Sequence, residues 1–205
     1  MLLKIGMTLG IILGAYIIGS FPTGFLLVKI FAHKDIREVG SGSTGATNVK
    51  RVLGKKGFFA VMLIDIIKGW FPVFLTINFE NQLNLFQDLH ILPILVSIAL
   101  IFGHSKSIFL GFTGGKSVAT SAGTAFALNF PACLIAFIIW AIIAYVSRYI
   151  SLASMIALGI FPFIMYLFGE PISYIIYCIL AAFYVIYLHR ENIKRLMNGT
   201  ENKVR

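Results

Sequence analysis

The chain has 205 residues, 59% of them hydrophobic and only 12% charged, with a mean hydropathy of +0.91. Those values exclude a soluble globule and point to one integral membrane domain over residues 1–205. The net charge of +9 raises nucleic acid as a partner. It is discounted, because the basic residues cluster in particular connections and no aromatic-and-basic stacking platform accompanies them. Cys133 and Cys178 lie in apolar runs without zinc spacing, so neither a disulfide framework nor a metal site is expected, and no cofactor is implied.

In chain order, residues 5–28 carry no charged side chain, enough to cross a hydrocarbon core of about 30 Å as a helix. Only Lys4 precedes this stretch and no small-residue cleavage pattern follows it, so it reads as a span rather than a signal peptide. Further spans are predicted near 57–78, 90–109, 116–130, 131–147, 151–168 and 172–188. Their continuous apolarity, without period-two alternation, excludes a β-barrel. The expected fold is an all-α integral membrane bundle of about seven transmembrane helices. The fourth span is the weakest, since its uncharged part, Val118 to Leu128, rises only about 16 Å as a helix. It must extend toward Gly114, tilt, or be shielded by protein. The polar tail from about Met197 is expected to fray.

Charge sets the orientation. Lys29, Lys34, Arg37, Lys50, Arg51, Lys55 and Lys56 lie between the first two spans, whereas the next connection carries only Glu80 and Asp88. Lys106 and Lys116 follow, then an uncharged turn at Asn129, then Arg148, then Glu170 alone, then the basic tail. This alternation places the N-terminus outside and the C-terminus in the cytoplasm.

Three polar segments interrupt the apolar runs, and the topology places all of them at the cytoplasmic face. The first is Gly40-Ser41-Gly42-Ser43-Thr44-Gly45-Ala46-Thr47-Asn48, with Arg51 just after it. It contains a literal G-x-G-x-x-G, and Asp65 even lies about 20 residues on, as in a dinucleotide fingerprint. The context rejects that reading, because His33 to Glu38 form no buried strand and Asp65 falls inside a span. The glycines still let successive N–H groups turn toward one anion, with Ser41, Thr47 and Asn48 as further donors. A plain flexible linker is the alternative, and it does not account for this donor density beside Arg51.

The second segment runs from Gly103-His104 to Gly114-Gly115-Lys116-Ser117. A P-loop would need glycine where Leu110 stands, and no strand precedes it, so nucleotide binding is rejected. Glycines leading to a lysine at a helix start nevertheless make an anion site. A snorkelling orientation role would explain Lys116 but not the paired glycines. His104 reads first as a hydrogen-bonded structural histidine. In the third segment His189 and Asn192 lie one helical turn apart on one face, with Arg190 and Lys194 as solvated anchors. Asp65 and Lys68, three apart within a span, are expected to pair, as a support for the first loop or as part of the site. Ser151 and Ser154 share a face past Arg148, suited to helix packing or to the site.

Taken together, Gly40-Ser41-Gly42 through Gly45-Ala46-Thr47-Asn48 and Arg51, Gly103-His104 through Gly114-Gly115-Lys116 to Val118-Ala119-Thr120, and His189-Arg190 through Asn192-Ile193 to Arg195-Leu196 resemble the bacterial membrane family of acyl-phosphate:glycerol-3-phosphate acyltransferases. The likeness runs through essentially the whole chain in order. It implies a compact seven-helix bundle in the bacterial cytoplasmic (inner) membrane, with its active site facing the cytoplasm. It also implies transfer of an acyl group from acyl phosphate to the 1-hydroxyl of glycerol 3-phosphate, giving lysophosphatidic acid and phosphate, the first step of phospholipid synthesis. Acyl phosphate, glycerol 3-phosphate and membrane lipid are then its partners.

By the same resemblance Arg51 and Lys116 bind phosphate and stabilise charge, while Ser154, His189 and Asn192 position glycerol 3-phosphate. Ser41, Gly42, Gly45, Thr47 and Asn48 form the loop for the acyl phosphate, with Gly114 and Gly115 also binding substrate. The proton acceptor is either His189 or a substrate phosphate oxygen. An acyl phosphate is already activated, so no covalent enzyme intermediate is required. The chain departs from the family at Ser43, usually asparagine, at Ser117, usually glycine, and at Ser105-Lys106-Ser107, which lacks the usual proline and aromatic residues. The rival readings are an organophosphate or phosphate transporter and a membrane lipid-phosphate phosphatase. Confinement of the phosphate-binding segments to one face, without paired half-sequences, weighs against the transporter.

Overall fold

A computed structural model describes residues 2–83 and 90–203. Regular structure among them is helical: α1 (Leu2–Ser20), α2 (Thr23–Ala32), α3 (Ala46–Leu83), α4 (Ile91–Ser105), α5 (Val118–Leu128), α6 (Phe130–Ser147), α7 (Ile150–Leu167), α8 (Ile172–Leu188) and α9 (Arg190–Met197), with 3₁₀ turns at Ile36–Glu38 and Ile108–Leu110. A single antiparallel bridge, Ser107 to Thr113, closes a small loop among the described residues. The chain divides into two compact units, Met1–Ala127 and Leu128–Arg205.

In the first unit, the apolar run 5–28 is not one helix. Pro22 has no N–H to continue the ladder, so α1 stops at Ser20 and α2 restarts at Thr23. Side chains from elsewhere take up the carbonyls at the break: Ser107 Oγ donates to Ser20 O at 2.6 Å and Lys68 Nζ to Phe21 O at 3.0 Å. α1 and α4 pack backbone to backbone, since a Cβ on Gly19 would strike Leu100 and one on Gly103 would strike Tyr16 O. α3 and α5 meet in the same way at Gly69 and Gly123. α3 begins at Ala46, well before the predicted start at 57, and is broken at Gly54, whose φ of 67° and ψ of −159° are open essentially to glycine alone. Asn48 and Arg51 therefore ride on a short helical stretch ahead of the break. Val28, Ile36, Val49 and Val61 form a buried cluster beneath the loop between α2 and α3.

In the second unit, α6 packs on α7 and α7 on α8. Asn129 Oδ1 accepts from Ala132 N at 2.7 Å, capping α6, while its Nδ2 donates to Glu170 Oε1 at 2.7 Å. The chain bends by 60° between α8 and α9.

Leu3–Ala32, Ala46–Phe79, Phe130–Ser147 and Ile150–Leu167 are long and apolar enough to cross a membrane, and the bent pair α8–α9 makes a fifth candidate. α4, with 15 residues, and α5, with 11, are shorter apolar helices. α5 has the bounds of the uncharged part that made the fourth span doubtful. Large apolar side chains such as Leu13, Phe71, Phe137 and Phe183 are exposed, whereas Asp65, Lys68, His104 and His189 are buried. This inverted distribution suits a chain whose surroundings are hydrocarbon. The side chain of Glu80 and the whole of Asp88, the acids of the second connection, lie outside the described residues.

Candidate active site

Asn48 organises the first loop. Its side chain is buried, with Nδ2 donating to Ile36 O, Val39 O and Ser43 O at 3.2, 2.8 and 2.9 Å, and Oδ1 accepting from Ser41 N at 3.2 Å. The amide thus ties together a loop that has little secondary structure of its own. Gly40 has a φ of +59°, and a Cβ there would collide with Arg51 Nη1, so the guanidinium lies directly over this glycine. Ser41, Thr47 and Arg51 are exposed, and Gly42 and Gly45 are half-buried. Arg37 is already engaged: it pairs with Asp35 at 2.6 Å and its hydrogen bonds hold the Asp35 carboxyl down to about 2.

A chain of contacts leads from this loop to the second segment. Thr44 O packs where Gly24 lacks a Cβ. The neighbouring Thr23 Oγ1 donates to buried Asp65 at 3.0 Å, and Asp65 pairs with Lys68 at 2.8 Å, as its spacing predicts. Lys68 continues to His104 Nδ1 at 3.0 Å. The His104 ring lies against Gly115, and Gly115 N donates to His104 O at 3.1 Å. The paired glycines thus have a packing reason that the sequence does not display. Lys116, half-buried, follows directly, two residues before α5 begins.

In the second unit, Ser154 Oγ donates to Ile150 O at 2.8 Å and accepts from Trp140 Nε1 at 3.1 Å. His189, buried at the bend between α8 and α9, bonds Val185 O through Nδ1 at 2.7 Å. A carbonyl can only accept, so Nδ1 carries a proton, and in the neutral form of the ring the lone pair lies on Nε2. Asn192 Nδ2 and Ser151 Oγ both donate to Glu201 Oε1, at 2.7 and 2.8 Å, and Arg195 Nε donates to Oε2 at 2.7 Å. The tail expected to fray is therefore folded back through Glu201. Burial raises the Glu201 pKa, but the bonds from Arg195, Asn192 and Ser151 outweigh it and hold the carboxyl below its ordinary value. Sequence reasoning missed Glu201 because a single acid in a polar tail carries no local signature. Trp140 gave a weak signal, since an indole N–H inside a membrane helix needs a partner.

The family model for Glycerol-3-phosphate acyltransferase matches residues 9–199. The chain belongs to the glycerol-3-phosphate acyltransferase family. The acyltransferase of Trichormus variabilis is 44% identical over 204 residues, covering 95% of this chain and 90% of its own. That of Desulforamulus reducens is 42% identical over 197 residues, covering 96% and 95%. A crystal structure of PlsY (YgiH), an integral membrane glycerol 3-phosphate acyltransferase, in its glycerol 3-phosphate form matches with a TM-score of 0.90 at 35% identity, over 97% of this chain and 96% of that one. Its lysophosphatidic acid form matches at 0.87 and 33%, with the same coverage.

The points at which this acyltransferase departs from its family's motifs have local explanations. Ser43 Oγ accepts from Gly45 N at 3.3 Å, a short turn bond open to a small polar side chain. Ser107 is buried and makes the bond to Ser20 O described above, tying the end of α4 to α1, and Tyr16 adds a second tie from its hydroxyl to Lys106 O at 2.8 Å. Ser117 has a φ of +61°, a left-handed conformation that suits glycine, and offsets the strain by donating Oγ to Ile101 O at 2.8 Å. Ser117→Gly loses about 1 kcal/mol of hydrogen bond and relieves about as much backbone strain, so activity and thermal midpoint should stay near wild type. Ser117→Val keeps the strain, loses the bond and adds β-branching. It should lower extractable yield severalfold, and a wild-type yield for the valine variant would contradict the assigned backbone geometry.

Proposed function

We propose that this acyltransferase takes its acyl group from acyl phosphate and delivers it to the 1-hydroxyl of glycerol 3-phosphate, releasing lysophosphatidic acid and phosphate. The hydroxyl oxygen bonds to the acyl carbon, the carbon–oxygen bond to phosphate breaks, and phosphate leaves with the electron pair. Arg51 and Lys116 neutralise phosphate charge, the Gly40–Asn48 loop and the Gly114–Gly115 turn offer backbone donors, and Ser154, His189 and Asn192 orient glycerol 3-phosphate. The proton goes to His189 Nε2 or to a substrate phosphate oxygen. The observation that carries this reading is the close match of this chain to an acyltransferase solved with glycerol 3-phosphate and with lysophosphatidic acid, and the cations and glycine N–H groups of its polar segments suit two phosphate-bearing substrates. Among the described residues no three His, Cys, Asp or Glu side chains are grouped to hold a metal ion.

We further propose that α4 and α5 join the five longer candidates to give seven spans in the bacterial inner membrane, with the N-terminus outside and the polar segments on the cytoplasmic side. The alternation of basic and non-basic connections supports this orientation.

The donor is tested with labelled glycerol 3-phosphate and matched acyl chains supplied as phosphate or as thioester. Lysophosphatidic acid should form from acyl phosphate alone. Thioester-using enzymes commonly carry H-x-x-x-x-D, and here the nearest match, His33 with Glu38, is exposed at the end of α2 and the following turn. His90, His104 and His189 have Leu95, Phe109 and Lys194 at that offset. Comparable rates from the thioester would overturn the donor. Labelled uptake into vesicles or phosphate release without acylation would instead favour transport or phosphatase activity.

A further inference from the structure

Lys68 Nζ lies 2.8 Å from Asp65 Oδ1, 3.0 Å from Phe21 O and 3.0 Å from His104 Nδ1. An ammonium has three N–H donors, and these three acceptors use all of them. His104 Nδ1 therefore accepts, and the proton of the neutral ring sits on Nε2. Both ends of the ring are fixed, one by Lys68 and the other by the backbone of the turn. A Cβ on Gly115 would strike Nε2, with Cδ2 and Cε1 only 3.0 and 3.1 Å away, and a Cβ on Gly114 would strike His104 O. Neither glycine has a positive φ. Glycine is required at these positions by the closeness of His104, not by backbone conformation.

We propose that His104, held in place by the Asp65–Lys68 pair, is a positioning residue that sets the path of Gly114-Gly115 and so the placement of Lys116 on the substrate phosphate. This inference rests on the assignment of Lys116 to phosphate. His104 acts through the turn: its carbonyl holds Gly115 N and its ring edge sets how closely the turn approaches α4. The Asp65–Lys68 pair fixes the ring from below, and Thr23 fixes Asp65 in turn.

The test compares Gly115→Ala, His104→Ala, His104→Asn and the Gly115→Ala/His104→Ala double variant in full-length, detergent-purified protein, measuring KM for each substrate and kcat. Gly115→Ala should raise KM for the substrate whose phosphate meets Lys116 by about tenfold to a hundredfold, the scale of an ångström-level misplacement. In the double variant the obstructing ring is gone, so its KM should fall to that of His104→Ala alone instead of multiplying the two effects. His104→Asn keeps an acceptor for Lys68 and so should match wild type in yield and thermal midpoint, yet show the raised KM. Multiplicative effects in the double variant, or a wild-type KM in the folded His104→Asn protein, would overturn the proposal and leave His104 as packing. Should wild type prefer a thioester, the same comparison is made with that donor, so the donor assignment and the positioning role fail separately.

Discussion

Arg51→Ala and Lys116→Ala are each expected to lower turnover by about ten- to two-hundredfold while leaving a folded, extractable protein. A charge-assisted hydrogen bond is worth about 1.5–3 kcal/mol, and losing one that forms on a phosphate whose charge rises along the reaction reduces rate by that factor. Folding should survive in both. Arg51 is exposed, lying over Gly40 on a loop whose shape is held by Asn48. Lys116 precedes α5 and is not part of its hydrophobic face. Lys106→Ala is the control, because that side chain is exposed and the residue's bonds to Phe102 O and from the Tyr16 hydroxyl are made by its backbone. Turnover near wild type in both charge variants would reduce Arg51 and Lys116 to orientation residues.

The largest stability effect is expected at Lys68. Removing one partner of a buried ion pair typically costs about 3–5 kcal/mol, because the other charge is left uncompensated. Lys68→Met would leave Asp65, buried and bonded to Thr23, without its cation, would remove the Lys68 donor from His104 Nδ1, and would leave Phe21 O with the Thr23 N–H alone. The measurement is the thermal aggregation midpoint in one detergent at a fixed scan rate, since membrane proteins unfold irreversibly. Lys68→Met should show a marked drop. The double variant Asp65→Asn/Lys68→Met removes both charges and should recover much of it. A single variant as stable as wild type would show that the pair does not brace this unit.

The candidate segments are legible in the sequence because their chemistry is local. Gly40 to Arg51, Gly114-Gly115-Lys116 and His189 to Asn192 are each short enough for donor density, glycine spacing and charge to be seen in one window. The Asp65–Lys68 pairing likewise follows from i,i+3 spacing on a helix. What those segments do not show is which groups hold them. His104 reads from the sequence as a hydrogen-bonded structural histidine, but only the fold shows that its ring and carbonyl are the surface on which Gly114 and Gly115 lie. The tail reads as frayed, yet Glu201 closes back on Ser151, 50 residues away.

By itself the sequence determined the all-helical membrane class, the positions of nearly every apolar helix and the family, since continuous apolarity and ordered motifs survive without coordinates. Tertiary structure alone decided which side chains, from α3 and from the segment after α4, take up the carbonyls where Pro22 splits the first apolar run, that Ser117 occupies a glycine-like conformation bonded to Ile101, and that Asn48 holds the first loop together. The physical reason is the same in each case. A carbonyl released at a helix break, or a polar group buried away from water, must find a partner wherever the fold supplies one. Lys68 meets Phe21 across 47 residues and Ser107 meets Ser20 across 87, separations over which no local pattern in the chain can point from one partner to the other.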